Sequence, residues 1–186
     1  MILKSLRAAC VALLNYKYIN RDELHQDIIR FCNNKLIKNH LNKTTRHLLI
    51  TNSAFATVYH MRIKQYNRIN GKLTSWIFPP RMDCHLDVKD IGAGFIIFHG
   101  NGSVIFAEKI GQNCSIYQQV TLGRGKISDG RSIPVIGDNV NIYAGAIVVG
   151  GITIGNNVNI GAGAVVTKDV PDNCTVVGNP SRIIQH

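Results

Sequence analysis

The sequence predicts a mainly β protein, a parallel β-solenoid of period six preceded by a small α-helical segment. Three observations lead there. From Ile110 onward an aliphatic residue returns at every sixth position, with one interruption. Over the first eighty residues apolar residues return at intervals of three and four instead. Between the two regions stands Pro79-Pro80, a pair that breaks helices and marks a boundary. The predicted division is a basic α-helical segment over 1–80 and a solenoid domain with a C-terminal cap over 81–186.

The period of six is the stronger signal. The leading positions are Ile110, Ile116 and Leu122, then Ile136, Ile142, Val148, Ile154, Ile160 and Val166. Ile91 and Ile97 begin the same rhythm less cleanly. A small or β-branched residue sits four places after each leader, as in IGDNVN, IYAGAI, IGNNVN and IGAGAV. Neither a helix nor an isolated strand has this period; stacked solenoid coils do. Each hexad supplies a short strand and a turn, so three close one triangular coil. The leader points inward and stacks on its counterpart one coil away. Gly and Asn at the turns accept a positive φ at low cost. One coil cannot bury its own core, so stability comes from stacking, and Asn173–His186 are expected to cover the last coil.

The helical segment is read from periodicity and end signals. Ala8–Leu14 follow Lys4 and Arg7, which faintly imitates a leader peptide; the better reading is the first turns of an amphipathic helix. Asn20 with Glu23 three residues on suggests a capping box, with Leu24, Ile28, Phe31 and Cys32 on one face. A further helix is expected from near Ser53, with Phe55, Val58, Tyr59, Arg62, Ile63 and Tyr66 in rhythm and Gly71 as its end.

Composition narrows the class. No apolar run approaches the roughly 20 residues needed to span a bilayer. The five cysteines form no CxxC pair, and no Cys/His cluster has zinc-ligand spacing, so buried thiols in a reducing cytoplasm are expected and no metal. The charge is uneven: residues 1–82 carry a balance of +11 and residues 83–186 one of −1, making the net +10. The basic character thus belongs to the helical segment alone. It is either a solvated basic face or a surface for an anionic membrane or an acidic polymer. No nucleic-acid-binding motif is present, and no nucleic acid is expected. The expected location is the cytoplasm, with peripheral contact at the inner membrane face as the option the basic segment leaves open.

The stretches HGNGSVI, IGQNCSIYQQVTLG, IPVIGDNVNIYAGAIVVGGITIGNNVNIGAGAVVTKDVP and VVGNPSRII resemble the hexapeptide-repeat acyltransferases, and most closely their serine acetyltransferase-like O-acetyltransferase branch. The resemblance covers about residues 83–184. It implies a left-handed parallel β-helix, a homotrimer with active sites between subunits, and acetyl-CoA as co-substrate. The left hand comes from the resemblance, since periodicity does not supply it.

Acetyl transfer to a hydroxyl needs a base for the hydroxyl proton, a held thioester and stabilisation of the oxyanion; histidine, with a pKa near neutrality, suits the first task. His99 stands in Phe98-His99-Gly100-Asn101-Gly102, and the resemblance implies that it is the general base. Asp83, in Asp83-Cys84-His85, matches an Asp-x-His whose aspartate orients that base, although one extra residue near Lys89-Asp90 separates the motif from His99. His85 reads as structural. The acceptor candidates are Asn101 and Arg131. In serine acetyltransferases an Arg-His-Pro binds serine; here the loop Gly123–Pro134 carries Arg131-Ser132-Ile133-Pro134, without the histidine. The donor candidates are Gly123, Ala144, Gly145, Ala162 and Gly163 along the pantetheine arm, with Lys168 and Arg182 for the CoA phosphates.

The missing histidine tips the sequence reading toward an O-acetyltransferase acting on a sugar hydroxyl of a surface or capsular polysaccharide, with serine O-acetyltransferase of cysteine biosynthesis as the alternative. A zinc enzyme on the same solenoid would need three histidines, and only His85 and His99 are near the candidate site. A non-catalytic binding solenoid would need no His-Gly-Asn-Gly.

Overall fold

The computed structural model describes residues 2–32, 41–79 and 83–186. The chain divides into two compact units between Met82 and Asp83. The first is helical: α1 (Ile2–Leu14), α2 (Tyr16–Ile19), α3 (Asp22–Phe31), α4 (Leu41–Thr51), α5 (Ser53–Tyr66) and α6 (Arg68–Ile77). Among the described residues no helix is long and apolar enough to cross a membrane.

Helix α5 is the centre of this unit. Asn52 caps it by accepting a hydrogen bond from Phe55 N at 2.9 Å, and Phe55, Val58, Tyr59 and Ile63 are fully buried. Arg62, on the same helix, is buried against Asp27 of α3, with Nε to Oδ2 at 2.7 Å and Nη2 to Oδ1 at 3.2 Å. The two-pronged pairing offsets the desolvation of both charges; either alone would be strongly destabilising.

Two end signals fall elsewhere than the sequence suggests. Helix α3 begins at Asp22 with Arg21 as its N-cap, while Asn20 closes α2, so no capping box forms. Glu23 is held in place differently. Its own backbone N–H lowers its pKa, against the effect of burial, and the Tyr66 hydroxyl donates to it at 3.0 Å. Gly71 ends nothing. Asn67 separates α5 from α6 and caps α6 by accepting from Asn70 N at 2.9 Å. Gly71 lies buried inside α6, where a Cβ would come within 2.6 Å of Lys64 Cα; it is glycine because two helices approach there.

The second unit is a parallel β-solenoid. Its first coils hold β1 (Cys84–Ile91), β2 (Ile96–Ile97), β3 (Ser103–Ile110), β4 (Ser115–Ile116) and β5 (Thr121–Gly123). After an excursion come β6 (Val135–Ile136), β7 (Asn141–Ile142), β8 (Ile147–Val149), β9 (Thr153–Ile154), β10 (Asn159–Ile160) and β11 (Val165–Val166). The chain closes with β12 (Cys174–Val177) and β13 (Arg182–Gln185), an antiparallel pair at the end of one sheet.

The hexad leaders form three stacked columns, one per face. Leu86, Ile105, Leu122, Val148 and Val166 are successive partners on the first. Ile91, Ile110, Ile136 and Ile154 follow on the second. Ile97, Ile116, Ile142, Ile160 and Val176 make the third. Every leader from Ile110 to Val166 is at most 1% exposed. The residues four places on, among them Cys114, Val120, Ala146 and Ala164, are buried too. The column structure explains the strict period: a polar leader would sit between two aliphatic neighbours with no hydrogen-bond partner.

Three local departures from period six matter for function. The first face is one residue short in β1 and β3, where leaders are five apart (Leu86 to Ile91, Ile105 to Ile110). The corner between Ile97 and Ile105 has eight residues where six are regular. Lastly, partners Ile116 and Ile142 lie 26 residues apart against 18 for Ile142 and Ile160, so the excursion between β5 and β6 adds eight residues. Strands β1 and β3 keep one register throughout, so the chain shows no bulge at Lys89-Asp90 relative to the strand beside it.

Candidate active site

The eight-residue corner is the His99 turn. His99 has φ 61°, in the left-handed region that side chains other than Gly and Asn seldom adopt, and Gly100 and Gly102 follow at 45° and 69°. The turn is tight: Gly100 N donates to Phe98 O at 2.7 Å and Asn101 N to His99 O at 2.6 Å. It is anchored on both sides. Gly102 N donates to Asp83 O at 2.7 Å, and Gln119 N donates to Asn101 O at 3.0 Å. Ser103 ties the exit down, its Oγ accepting from Val120 N at 3.2 Å and donating to Tyr117 O at 3.3 Å. A strained backbone fixed by its surroundings is common where a side chain must be presented. Here it presents the imidazole of His99, which is exposed.

Asp83 reaches the same corner through its main chain. Its side chain and that of His99 are both exposed, and among the described residues no hydrogen bond joins them. Cys84 beside them is no nucleophile, since burial, then the Asp83 charge, pushes its thiol up to about 11. His85 packs against the Phe106 ring, with centroids 5.0 Å apart, as a structural histidine would.

Above the His99 turn the same corner repeats. Asn101 O accepts from Gln119 N, Gln118 O from Gly145 N and Ala144 O from Gly163 N, each at 3.0 Å. His99, Asn101, Ala144, Gly145, Ala162 and Gly163 therefore line one edge of the prism. Gly145 and Gly163 have φ 69° and 67°, a conformation glycine takes without steric cost. A Cβ on Gly163 would meet nothing within 4 Å, and one on Gly145 only Gly163 N at 4.0 Å. The track outside is open, with room for a flexible arm. Arg182 pairs with Val177, the residue that meets Gly161, at the far end of this edge.

The next corner carries the excursion. Residues 123–134 form a hairpin whose tip turns at Asp129 and Gly130, with φ 48° and 73°. It is clipped to the solenoid where glycines let backbones touch. Gly151 N donates to Lys126 O at 2.9 Å, and a Cβ on Gly151 would lie 2.0 Å from Arg131 O. Beneath the hairpin runs an open groove of about 950 Å³, lined by Gly123, Arg124, Arg131, Ser132 and Ile133 with Lys89 and Glu108 across from them. Arg131 is steadied by a hydrogen bond from Nη2 to Thr153 Oγ1 at 3.3 Å. Lys168 is exposed in the turn after β11, on this second corner.

One chain thus divides the candidates between two edges. His99, Asp83, Asn101, the Ala/Gly track and Arg182 share the first; Gly123, Arg131 and Lys168 share the second. Sequence reasoning missed an aromatic ladder beside His99. Phe98 stacks on Tyr117 (centroids 4.8 Å, 24°) and Tyr117 lies against Tyr143 (5.1 Å, 35°). The signal was available, since each ring directly follows a leader of the third column.

The bacterial transferase hexapeptide model (six repeats) matches residues 133–168. Residues 133–168 thus carry the hexapeptide repeat of that model. Serine acetyltransferase of Synechococcus elongatus is 52% identical over 95 residues, which are 50% of this chain and 39% of that protein. The chain spans well under half the length of this relative. The crystal structure of Neisseria gonorrhoeae serine acetyltransferase in complex with serine is similar over 97% of this chain and 82% of that one, with TM-score 0.68 and 25% identity. A serine acetyltransferase in complex with CoA is similar over 98% and 83%, with TM-score 0.64 and 25% identity.

These similarities overturn the sugar-acceptor reading. It rested on one histidine missing from the hairpin, whereas the hexapeptide-repeat relatives named here are serine acetyltransferases. The physical weight of that absence is small: the hairpin still holds Arg131 against Thr153 and still roofs the groove.

Proposed function

We propose that the chain is a serine O-acetyltransferase that uses acetyl-CoA. The observation that carries this is the 52% identity to a serine acetyltransferase, joined to the presentation of His99 on a strained, anchored turn. In this reading His99 removes the proton of the serine hydroxyl as its oxygen attacks the acetyl carbonyl. The carbon–oxygen bond forms, the tetrahedral oxyanion collapses and the carbon–sulfur bond breaks. His99 then returns the proton to the CoA sulfur, so the base is regenerated. Asp83 orients the imidazole once substrate draws the two together. Asn101 and Arg131 meet the serine, Arg131 through its guanidinium on the carboxylate. The open track of Ala144, Gly145, Ala162 and Gly163 takes the pantetheine arm, Gly123 lies by the thioester, and Lys168 and Arg182 meet the CoA phosphates.

Since His99 and Arg131 lie on different edges of one chain, the reading calls for a second copy to bring them together, and a homotrimer does so at each of its three interfaces. The scattered thiols fit a cytoplasmic location, and the basic helical unit suits contact with an anionic surface. Thiol release from acetyl-CoA, with and without L-serine, tests the activity. Serine-dependent release that vanishes in a His99 variant is expected; no serine-dependent release from well-folded protein would overturn the assignment.

A further inference from the structure

Helices α1 and α6 are turned the opposite way to ordinary surface helices. In α1 the small residues Ala8 and Ala12 are buried with Val11, while Ile2, Leu3, Leu6 and Leu13 face out, Ile2 at 79% and Leu13 at 74% exposure. At about 100° per residue, Ile2, Leu6 and Leu13 fall within about 40° of one another. In α6 Gly71 and Thr74 are buried, while Ile69, Leu73 and Trp76 face out, Trp76 at 81%. The helices adjoin, because Asn15, just past α1, donates from Nδ2 to Thr74 Oγ1 of α6 at 2.8 Å. Arg7, Arg68 and Lys72 are exposed on the same two helices.

A water-facing helix places its large apolar residues inward. Two outward apolar faces on adjoining helices therefore need an occupant. Charge decides which. The segment up to residue 82 carries a balance of +11, so pairing this face with a second copy sets two strongly positive units against each other. An anionic lipid surface matches both features. Its headgroups meet arginine and lysine, its acyl boundary takes aliphatic side chains, and tryptophan favours that interface.

We propose that the α1–α6 face docks on an anionic lipid surface, with Ile2, Leu6, Leu13, Ile69 and Trp76 entering the headgroup–acyl boundary and Arg68 and Lys72 meeting the headgroups. The proposal rests on the anionic-surface reading above and is independent of acyl transfer.

Trp76 is the chain's one tryptophan, so its emission reports directly on this face. The full chain is titrated with vesicles of phosphatidylcholine, alone or mixed with phosphatidylglycerol, with emission and co-sedimentation read together. The expected result is red emission in free protein, with a blue shift and pelleting only on the mixed vesicles, both weakening as salt is raised. Reversing Arg68 and Lys72 together to glutamate should weaken partitioning at least about fivefold for each charge. Serine acetylation by that double variant should stay at the wild-type rate, which separates loss of docking from failure of the transferase reading. Emission already blue without vesicles, in protein whose mass rises with concentration, would assign the face to a second copy and overturn the proposal. So would mixed vesicles that leave emission and pellet unchanged.

Discussion

The ring of Phe98 stacks on that of Tyr117 at 4.8 Å, one coil away, and Phe98 is the residue that leads into the strained His99 turn. Tyr143 continues the stack from the next coil at 5.1 Å. The ladder thus braces the entry to a turn whose backbone would relax if its neighbours allowed it. Under the proposed function Tyr117 acts through Phe98, as a positioning residue. Tyr117→Ala should lower kcat for serine acetylation by about 10- to 100-fold, the scale of a slightly misplaced catalytic group, with KM for acetyl-CoA little changed. Tyr117→Phe keeps the ring and should restore kcat. Steady-state kinetics on both variants, beside their melting curves, separates positioning from simple loss of stability.

Replacing His99 calls for a residue that tolerates the turn. Asn113, Asn139 and Asn157 occupy left-handed positions at other corners of the solenoid, with φ of 55–57°. Asparagine is accordingly the clean substitution: His99→Asn should keep the turn and the melting temperature while lowering kcat by about 10²–10⁴-fold. His99→Ala, which keeps a non-glycine side chain at the same positive φ, should lower kcat by the same factor. Equal kcat for His99→Asn and wild type would remove His99 from the chemistry.

What the sequence made legible follows from what each feature depends on. The leaders from Ile110 to Val166 were readable because each has the same neighbours one coil above and below, so one rule fixes them all. The edge holding His99, Asn101, Ala144 and Gly163 was not readable as an edge. It is built from coils of unequal length, and the hydrogen bonds from Gln119 N to Asn101 O, Gly145 N to Gln118 O and Gly163 N to Ala144 O align them. Arg131 was found as a residue, but its place one corner from His99 depends on where the excursion leaves the coil. In the helical unit Gly71 looks like a helix end in the sequence, but its reason lies in the close packing against Lys64, which no local pattern records.

The hairpin over the groove depends on Gly151. A Cβ there would lie 2.0 Å from Arg131 O and 2.9 Å from Ser128 N, both of them backbone atoms. Gly151→Ala must therefore push the hairpin off the solenoid and carry Arg131 with it. The expected outcome is a raised KM for serine, a smaller change in KM for acetyl-CoA, and a stability loss of about 1–3 kcal/mol. Trypsin cleavage at Arg124, Lys126 or Arg131, faster than in wild type, would show the displacement directly.

The helical unit should be sensitive to acid through His60. This histidine is 6% exposed, and burial pulls its pKa down to about 4 from an ordinary 6.5, against a smaller raising effect of the Phe78 backbone. The unfolded chain therefore binds a proton in a range where the folded one does not. Stability from keeping this ring neutral is full above pH 6.5 and falls as pH drops toward 4, below which both states are protonated and the loss levels off. The loss is on the order of 3 kcal/mol across that window. His60→Phe has no proton to bind, so its denaturant midpoint should fall less between pH 6.5 and 4 than that of wild type. Parallel slopes for the two proteins in that range would mean that groups other than His60 set the acid response.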